Sequence, residues 1–140
     1  DQQGKQGPYG VRIAIGLGDF DFVAPRVFEC NGSAFVRANE GFEQMELRKA
    51  QWAVASPWAE WDREMNLYLR LAETFMNQWS RSSAALMEAV LLHPEMTQSE
   101  LGEVLGIRQN SVSGRWRRAH IEETLAVLRA FQDGLLTLLD

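Results

Sequence analysis

The chain of 140 residues contains one cysteine, Cys30, so it cannot form an internal disulfide and offers too little thiol for a zinc site. It lacks any run close to the roughly 20 consecutive apolar residues that a membrane-spanning helix needs. It also lacks the pattern of a signal peptide. These absences favour a cytoplasmic protein in a reducing environment.

Positive charge is also scarce, because 14 Lys and Arg residues are outnumbered by 19 Asp and Glu residues, for a net charge of −5. This balance argues against a protein that coats nucleic acid through bulk charge, but it allows a local basic patch. Hydrophobic residues make up 46% and charged residues 24% of the chain, which is typical of a folded globular protein.

The sequence contains no nucleophile–base pair that would support catalysis. Asp19 and Asp21 are close enough in sequence to share a metal, but no third ligand is near, and a solvated turn explains them better. His93 and His120 are single histidines that we interpret as residues at helix ends. We therefore predict no enzymatic activity, no cofactor and no metal.

The N-terminal part is predicted to form a thin layer of strands. Alternating or β-branched residues predict three of them, at Val11–Gly16, Arg26–Cys30 and Gln51–Ala55. Asn31-Gly32 is a strong turn signal. Asn39 is the expected N-cap of a short helix from Glu40 to Lys49.

Ser56-Pro57 marks the start of a long helix, because a hydroxyl N-cap is followed by proline at the first helical position. We predict that this helix runs to about Trp79. Apolar residues along it recur at alternating spacings of three and four, namely Trp58, Trp61, Met65, Tyr68, Ala72, Phe75 and Trp79. We interpret this Trp58–Trp79 stripe as a core or interface surface.

From about Ser83 the sequence follows the pattern of a helix-turn-helix module without a wing. Its three helices are predicted at Ala84–Leu92, Gln98–Leu105 and Gln109–Ala119. Thr97 and Glu100 predict a capping box at the start of the middle helix. Gly106 predicts a left-handed residue that ends this helix, and Gly102 permits another helix to cross close to it.

The third helix of this module has an apolar side and a basic side. Val112, Trp116 and Ala119 share one face and are expected to pack inward. The segment between Ile107 and Ala119 contains four arginines and no acidic residue. Such a helix fits the DNA major groove, where amides pair with adenine and arginine pairs with guanine or phosphate.

We assign the polar residues of the module by their expected positions. The expected base contacts are Gln109, Asn110, Ser113 and Arg117, and the expected phosphate contacts are Thr97, Gln98, Ser99, Arg108, Arg115 and Arg118. One position departs from the usual pattern, since Arg108 occupies the N-cap of the third helix, where Ser, Thr or Asn is preferred.

From Thr97 onward the chain reads T-Q-x-E-L-x-x-x-L-G-I-x-Q-x-x-V-x-x-R, which resembles region 4 of bacterial sigma factors and the related response-regulator helix-turn-helix. The segments Arg12–Gly16 and Asn31–Phe35, followed by a long helix and this module, resemble the SatD family of bacterial proteins. That resemblance implies a regulator. We interpret the polar run at Asp1–Gly7 as a loop or a cut end. The Gly-Asp-Ser motif usual upstream in that family is absent, which favours a chain cut from a longer protein.

The predicted fold class is α+β, mostly α. The expected organisation is a small α/β segment at 1–55, a long linking helix at 56–82, and a helix-turn-helix module with a final helix, Ile121–Leu139, at 83–140. The predicted function is sequence-specific binding of double-stranded DNA in transcriptional control. A homodimer is expected through the Trp58–Trp79 stripe or through Ile121–Leu139. The alternatives are a protein–protein interaction module and the regulatory end of a truncated nucleotide-handling enzyme, since the strand and the Gly-Ser-Ala-Phe segment also resemble the second half of a nucleotide cyclase-type fold.

Overall fold

A computed structural model describes residues 11–20 and 31–140 of the chain. These residues form two strands and six helices: β1 Ile13–Gly16, α1 Ser33–Arg48, β2 Trp52–Ala55, α2 Ala59–Met76, α3 Arg81–Leu92, α4 Gln98–Leu105, α5 Gln109–Arg118 and α6 Ile121–Leu139. The predicted class, α+β and mostly α, is confirmed. The chain divides into two compact units, and the division falls between Arg70 and Leu71, inside α2.

The N-terminal unit is built around a β–α–β arrangement. β1 and β2 pair in parallel, with Ile13 opposite Trp52 and Gly16 opposite Ala55. A parallel pair needs a crossover connection, which is here supplied by α1. A methyl group at Gly16 would lie 2.1 Å from the carbonyl oxygen of Ala34, so the absence of a side chain lets β1 and α1 touch. The strand predicted at Arg26–Cys30 lies outside the described residues.

The start of α1 differs from the sequence prediction. The helix begins at Ser33 and runs to Arg48, so Asn39 lies inside it and caps nothing. Gly32 occupies the N-cap position with a φ of 132° and makes no side-chain cap. The carbonyl oxygen of Asp19 accepts a hydrogen bond from the backbone N–H of Ala34 at 3.1 Å instead. The prediction was wrong because a backbone group distant in sequence replaces the local cap.

Side chains of α2 cover the outer edge of β2. The side-chain amide of Asn66 accepts a hydrogen bond from the N–H of Val54 at 2.8 Å and donates one to the carbonyl oxygen of Val54 at 2.9 Å. These are the two backbone hydrogen bonds that a neighbouring strand would otherwise form. The carboxylate of Asp62 accepts from the N–H of Ser56 at 2.8 Å. These hydrogen bonds protect the edge of β2 from pairing with other chains.

The α2 helix itself begins at Ala59, two residues after the proline that was predicted to open it.

The C-terminal unit has a core formed by α3, α4, α5 and the first turn of α6. Leu86, Leu101, Val112, Ala119 and Ile121 are at most 1% exposed and form its centre. The predicted three-helix arrangement is confirmed. The first of these helices begins at Arg81, earlier than predicted, because the Ser80 hydroxyl accepts a hydrogen bond from the N–H of Ser83 and so caps it.

None of the described helices is both long enough and apolar enough to cross a bilayer.

Candidate nucleic-acid interface

The start of α4 is capped by Thr97, as the sequence predicted. The Thr97 hydroxyl accepts a hydrogen bond from the N–H of Glu100 at 3.2 Å. The Glu100 carboxylate lies 3.1 Å from the same hydroxyl, so the reciprocal half of the predicted capping box goes to the side chain of Thr97 and not to its backbone. Of the other two expected phosphate contacts here, Ser99 is exposed and Gln98 is half-buried.

The turn between α4 and α5 is the tight left-handed turn that Gly106 predicted. Gly106 has a φ of +68°, and its N–H donates to the carbonyl of Glu103 at 3.3 Å. The next N–H, that of Ile107, donates to the carbonyl of Gly102 at 2.9 Å. This pair of bonds is the Schellman arrangement, which satisfies the last carbonyls of a helix and sends the chain off in a new direction.

Gly102 lies where the turn returns against α4. A methyl group at this position would be 2.7 Å from the backbone oxygen of Ile107 and 3.5 Å from a methyl of Val112. Backbone cannot yield to such a contact as a flexible side chain can. Gly102 therefore sets how closely the turn and α5 approach α4.

The inner face of α5 is anchored at several points. Val112 and Ala119 are fully buried. The indole N–H of Trp79 donates to the carbonyl oxygen of Ala119 at 2.7 Å, and the indole N–H of Trp116 donates to the Glu122 carboxylate at 3.1 Å. The sequence placed Trp79 only in the apolar stripe of the long helix, because nothing local links it to a carbonyl 40 residues away. These contacts hold the last turn of α5 in a defined position.

Most of the side chains that the sequence assigned to DNA lie along α5 or at its N-cap. All four expected base contacts are exposed: Gln109, Asn110, Ser113 and Arg117. Of the expected phosphate contacts on and beside this helix, Arg108 and Arg118 are exposed and Arg115 is half-buried. This helix and its N-cap thus carry every candidate except the three at the start of α4.

The arginines of this face are not neutralised by internal ion pairs. Within the described part of the chain, no carboxylate lies within 4.0 Å of the guanidinium groups of Arg108, Arg115, Arg117 and Arg118. Glu122, the acidic residue just beyond α5, is hydrogen-bonded to Trp116. The positive charge is therefore available to an anionic ligand.

The N-terminus of α5 has no side-chain cap. Arg108 occupies the N-cap position in an extended conformation and makes no cap hydrogen bond with its side chain. The sequence had marked this position as unusual. A helix N-terminus with uncapped N–H groups and an adjacent arginine favours a phosphate group, through both hydrogen bonds and the helix dipole.

The other polar residues that the sequence considered do not assemble into a site. The backbone N–H of Asp19 donates to the Ser33 hydroxyl at 2.9 Å, while Asp21 and Cys30 lie outside the described residues. His93 ends α3, and His120 separates α5 from α6 with a φ of 53° and its ring 4.9 Å from that of Phe75. Over residues 11–20 and 31–140, no group of three or more metal-ligating side chains comes together.

Comparison with family models, with curated protein sequences and with solved structures finds no match to this chain.

Proposed function

We propose that this protein binds double-stranded DNA in a sequence-specific manner, with α5 in the major groove, and that it acts as a bacterial regulator of transcription in the cytoplasm. The observation that carries the proposal is the exposed face of α5, which combines amide, hydroxyl and unpaired arginine side chains on a helix anchored from behind by Val112 and Trp79. A face of this composition matches the donor and acceptor pattern of the groove.

The dimensions of α5 fit this role. Its 10 residues span about 15 Å, and the major groove, about 12 Å wide, admits one α-helix. In this arrangement Gln109, Asn110, Ser113 and Arg117 face base edges. Arg108 and Arg115, together with the start of α4, lie beside the flanking phosphates.

Salt dependence tests the proposal against a protein–protein interaction module. The full chain is titrated with a duplex recovered by selection from random-sequence duplex DNA, at several salt concentrations. Neutralisation of several phosphates predicts a steep, linear fall of log K with log salt, whereas an apolar protein interface predicts almost none. Recovery of no enriched duplex, or a flat salt profile, would contradict DNA binding.

Single variants then test the assignment of roles. Arg117→Ala should weaken binding to the selected duplex by about 1–3 kcal/mol and relax the preference at one base pair. Arg108→Ala should weaken all duplexes alike and lower the salt slope by about 1. Arg129→Ala removes an exposed arginine from α6 and serves as the matched control, which should leave both quantities unchanged. If Arg129→Ala weakened binding as much as Arg117→Ala, the surface assigned here would be wrong.

We also propose that two copies associate through α6. Trp61, Met65 and Ala72 of the Trp58–Trp79 stripe are buried within a single chain, so this stripe has little surface left for a partner. By contrast, no residue from Leu125 to Leu139 is fully buried, although this segment is rich in leucine. Dimerisation would supply the second recognition helix that paired half-sites require.

The side chains of α6 have the spacing of a helix–helix contact. Leu128, Leu135 and Leu138 follow the heptad spacing, and Leu128 is 44% exposed. Leu128→Lys and Leu135→Lys should therefore lower the sedimentation-equilibrium association constant, while Thr137→Lys, on another side of the same helix, should not. A wild-type chain that sediments as a monomer while it occupies a two-half-site duplex would refute the dimer.

A further inference from the structure

Gly114 lies inside α5, where glycine is the least favourable residue after proline. Gly102 and Gly106 have clear reasons to be glycine, namely a close backbone contact and a positive φ. Gly114 has neither reason, because its φ is not positive and a methyl group there would meet no backbone atom of another segment. Such a departure from local preference often marks a functional position.

The space above Gly114 is filled by one side chain, that of Arg118. From the point where a Cβ of Gly114 would lie, Nη1 of Arg118 is 3.1 Å away, Nη2 is 3.7 Å away and Cζ is 3.8 Å away. Because both Nη atoms are nearer to this point than Cζ is, the guanidinium group directs its Nη edge toward Gly114. The side chain of Arg118 thus points back by one turn toward the helix N-terminus, as long side chains on helices tend to do.

Gly114 lies at the middle of the outward face of α5, which we call the crest of the helix. At 3.6 residues per turn, Gly114 lies about 200° around the helix from Val112, which is fully buried. Asn110 is one turn before it on the same side. When a helix enters the major groove, its crest faces the base edges and its flanks face the phosphates.

We propose that Arg118 reads a guanine through a bidentate contact to O6 and N7, and that Gly114 is the positioning residue that lets its guanidinium lie on the crest of α5. This inference rests on the proposed DNA binding and replaces the phosphate role that the sequence alone assigned to Arg118. A methyl group at Gly114 would shift the guanidinium by a few tenths of an ångström, because a contact of 3.1 Å is too short for both groups to stay in place.

The test is a double-mutant cycle measured with the selected duplex and with all its single-base variants. Gly114→Ala and Arg118→Ala should each reduce discrimination at the same base pair. Arg118→Ala should reduce it by about 5- to 150-fold, because a full bidentate contact is lost. Gly114→Ala should reduce it by a smaller factor. The double variant should discriminate no worse than Arg118→Ala, since Gly114 acts only through Arg118.

Stability and salt slope separate this role from its competitors. Gly114→Ala should melt no lower than the wild type, so a loss of specificity cannot be attributed to unfolding. Two results would overturn the inference: Arg118→Ala weakening all duplexes equally with a lower salt slope, or Gly114→Ala weakening binding further when Arg118 is already alanine. The first would restore the phosphate role, and the second would show that Gly114 serves close approach of the duplex. In both cases DNA binding itself would stand, whereas absence of salt-dependent binding by the wild type would remove both proposals.

Discussion

The same substitution, glycine to alanine, should have different effects at three positions of the C-terminal unit. At Gly114, which is half-buried, alanine improves helix propensity by about 1 kcal/mol and meets only the movable guanidinium of Arg118. We therefore expect Gly114→Ala to raise the free energy of unfolding by up to about 1 kcal/mol.

At Gly102 the same gain in propensity is opposed by a steric conflict. The new methyl group would lie 2.7 Å from the backbone oxygen of Ile107, and the turn would have to move. Overpacking of this kind typically costs about 1–3 kcal/mol. Because both glycines are inside helices, the propensity terms cancel, and Gly102→Ala should be less stable than Gly114→Ala by about 1–3 kcal/mol.

At Gly106 the cost is conformational. No atom lies within 4 Å of the position of a Cβ, so alanine would fit, but its φ of +68° is unfavourable for any residue with a side chain. A left-handed conformation costs an L-residue roughly 1–2 kcal/mol. Gly106→Ala should therefore lower the free energy of unfolding by about that amount without any loss of packing.

Native-state hydrogen exchange can measure all three variants in the C-terminal unit alone. The backbone N–H groups of Val112 and Ala119 are hydrogen-bonded to carbonyls of Arg108 and Arg115, and they belong to buried residues. Their exchange free energies report on opening of this unit. If Gly102→Ala stabilised these amides as much as Gly114→Ala does, the close approach of the turn to α4 would be refuted.

Three further predictions concern single contacts. Val112→Ala should lower the free energy of unfolding by about 2–3 kcal/mol in the same exchange measurement, because it leaves a cavity at a fully buried site. A loss smaller than that caused by the same valine-to-alanine change at an exposed position would contradict the burial of Val112. Trp79→Phe removes the donor to the buried Ala119 carbonyl and should cost about 1–3 kcal/mol, with faster exchange at the end of α5; unchanged exchange there would show that the contact is not formed. The hydrogen bond to Glu64, together with its charge, raises the pKa of Tyr68, so Glu64→Gln should lower that pKa in a spectrophotometric titration, and an unchanged titration would contradict the pairing.

The C-terminal unit could be predicted well because its signals are local. Thr97 caps a helix that begins one residue later, and Gly106 ends it through hydrogen bonds that reach back no more than five residues. The predicted bounds of α4 and of the last helix match those observed. Helix caps and C-terminal glycines act within one or two turns, so both partners of each interaction lie in the same short segment of the sequence.

The N-terminal unit was harder to predict because its decisive contacts are distant in sequence. The expected cap at Asn39 was wrong, since the carbonyl of Asp19 binds the first turn of α1 and Gly16 lets that helix lie against β1. The use of Asn66 as a substitute for a neighbouring strand also has no signal in its own segment. Propensity is a weak guide where packing against another element decides the start of a helix.

The sequence by itself determined where α4 and α6 begin and end, and which side of α5 is basic, because these properties depend on neighbours within a few residues. Only the tertiary structure decided that β1 and β2 pair in parallel, that Trp79 holds the end of α5, and that the guanidinium of Arg118 lies over Gly114. The physical reason is that strand pairing and side-chain direction depend on atoms brought together by folding, and their separation along the chain leaves no local pattern.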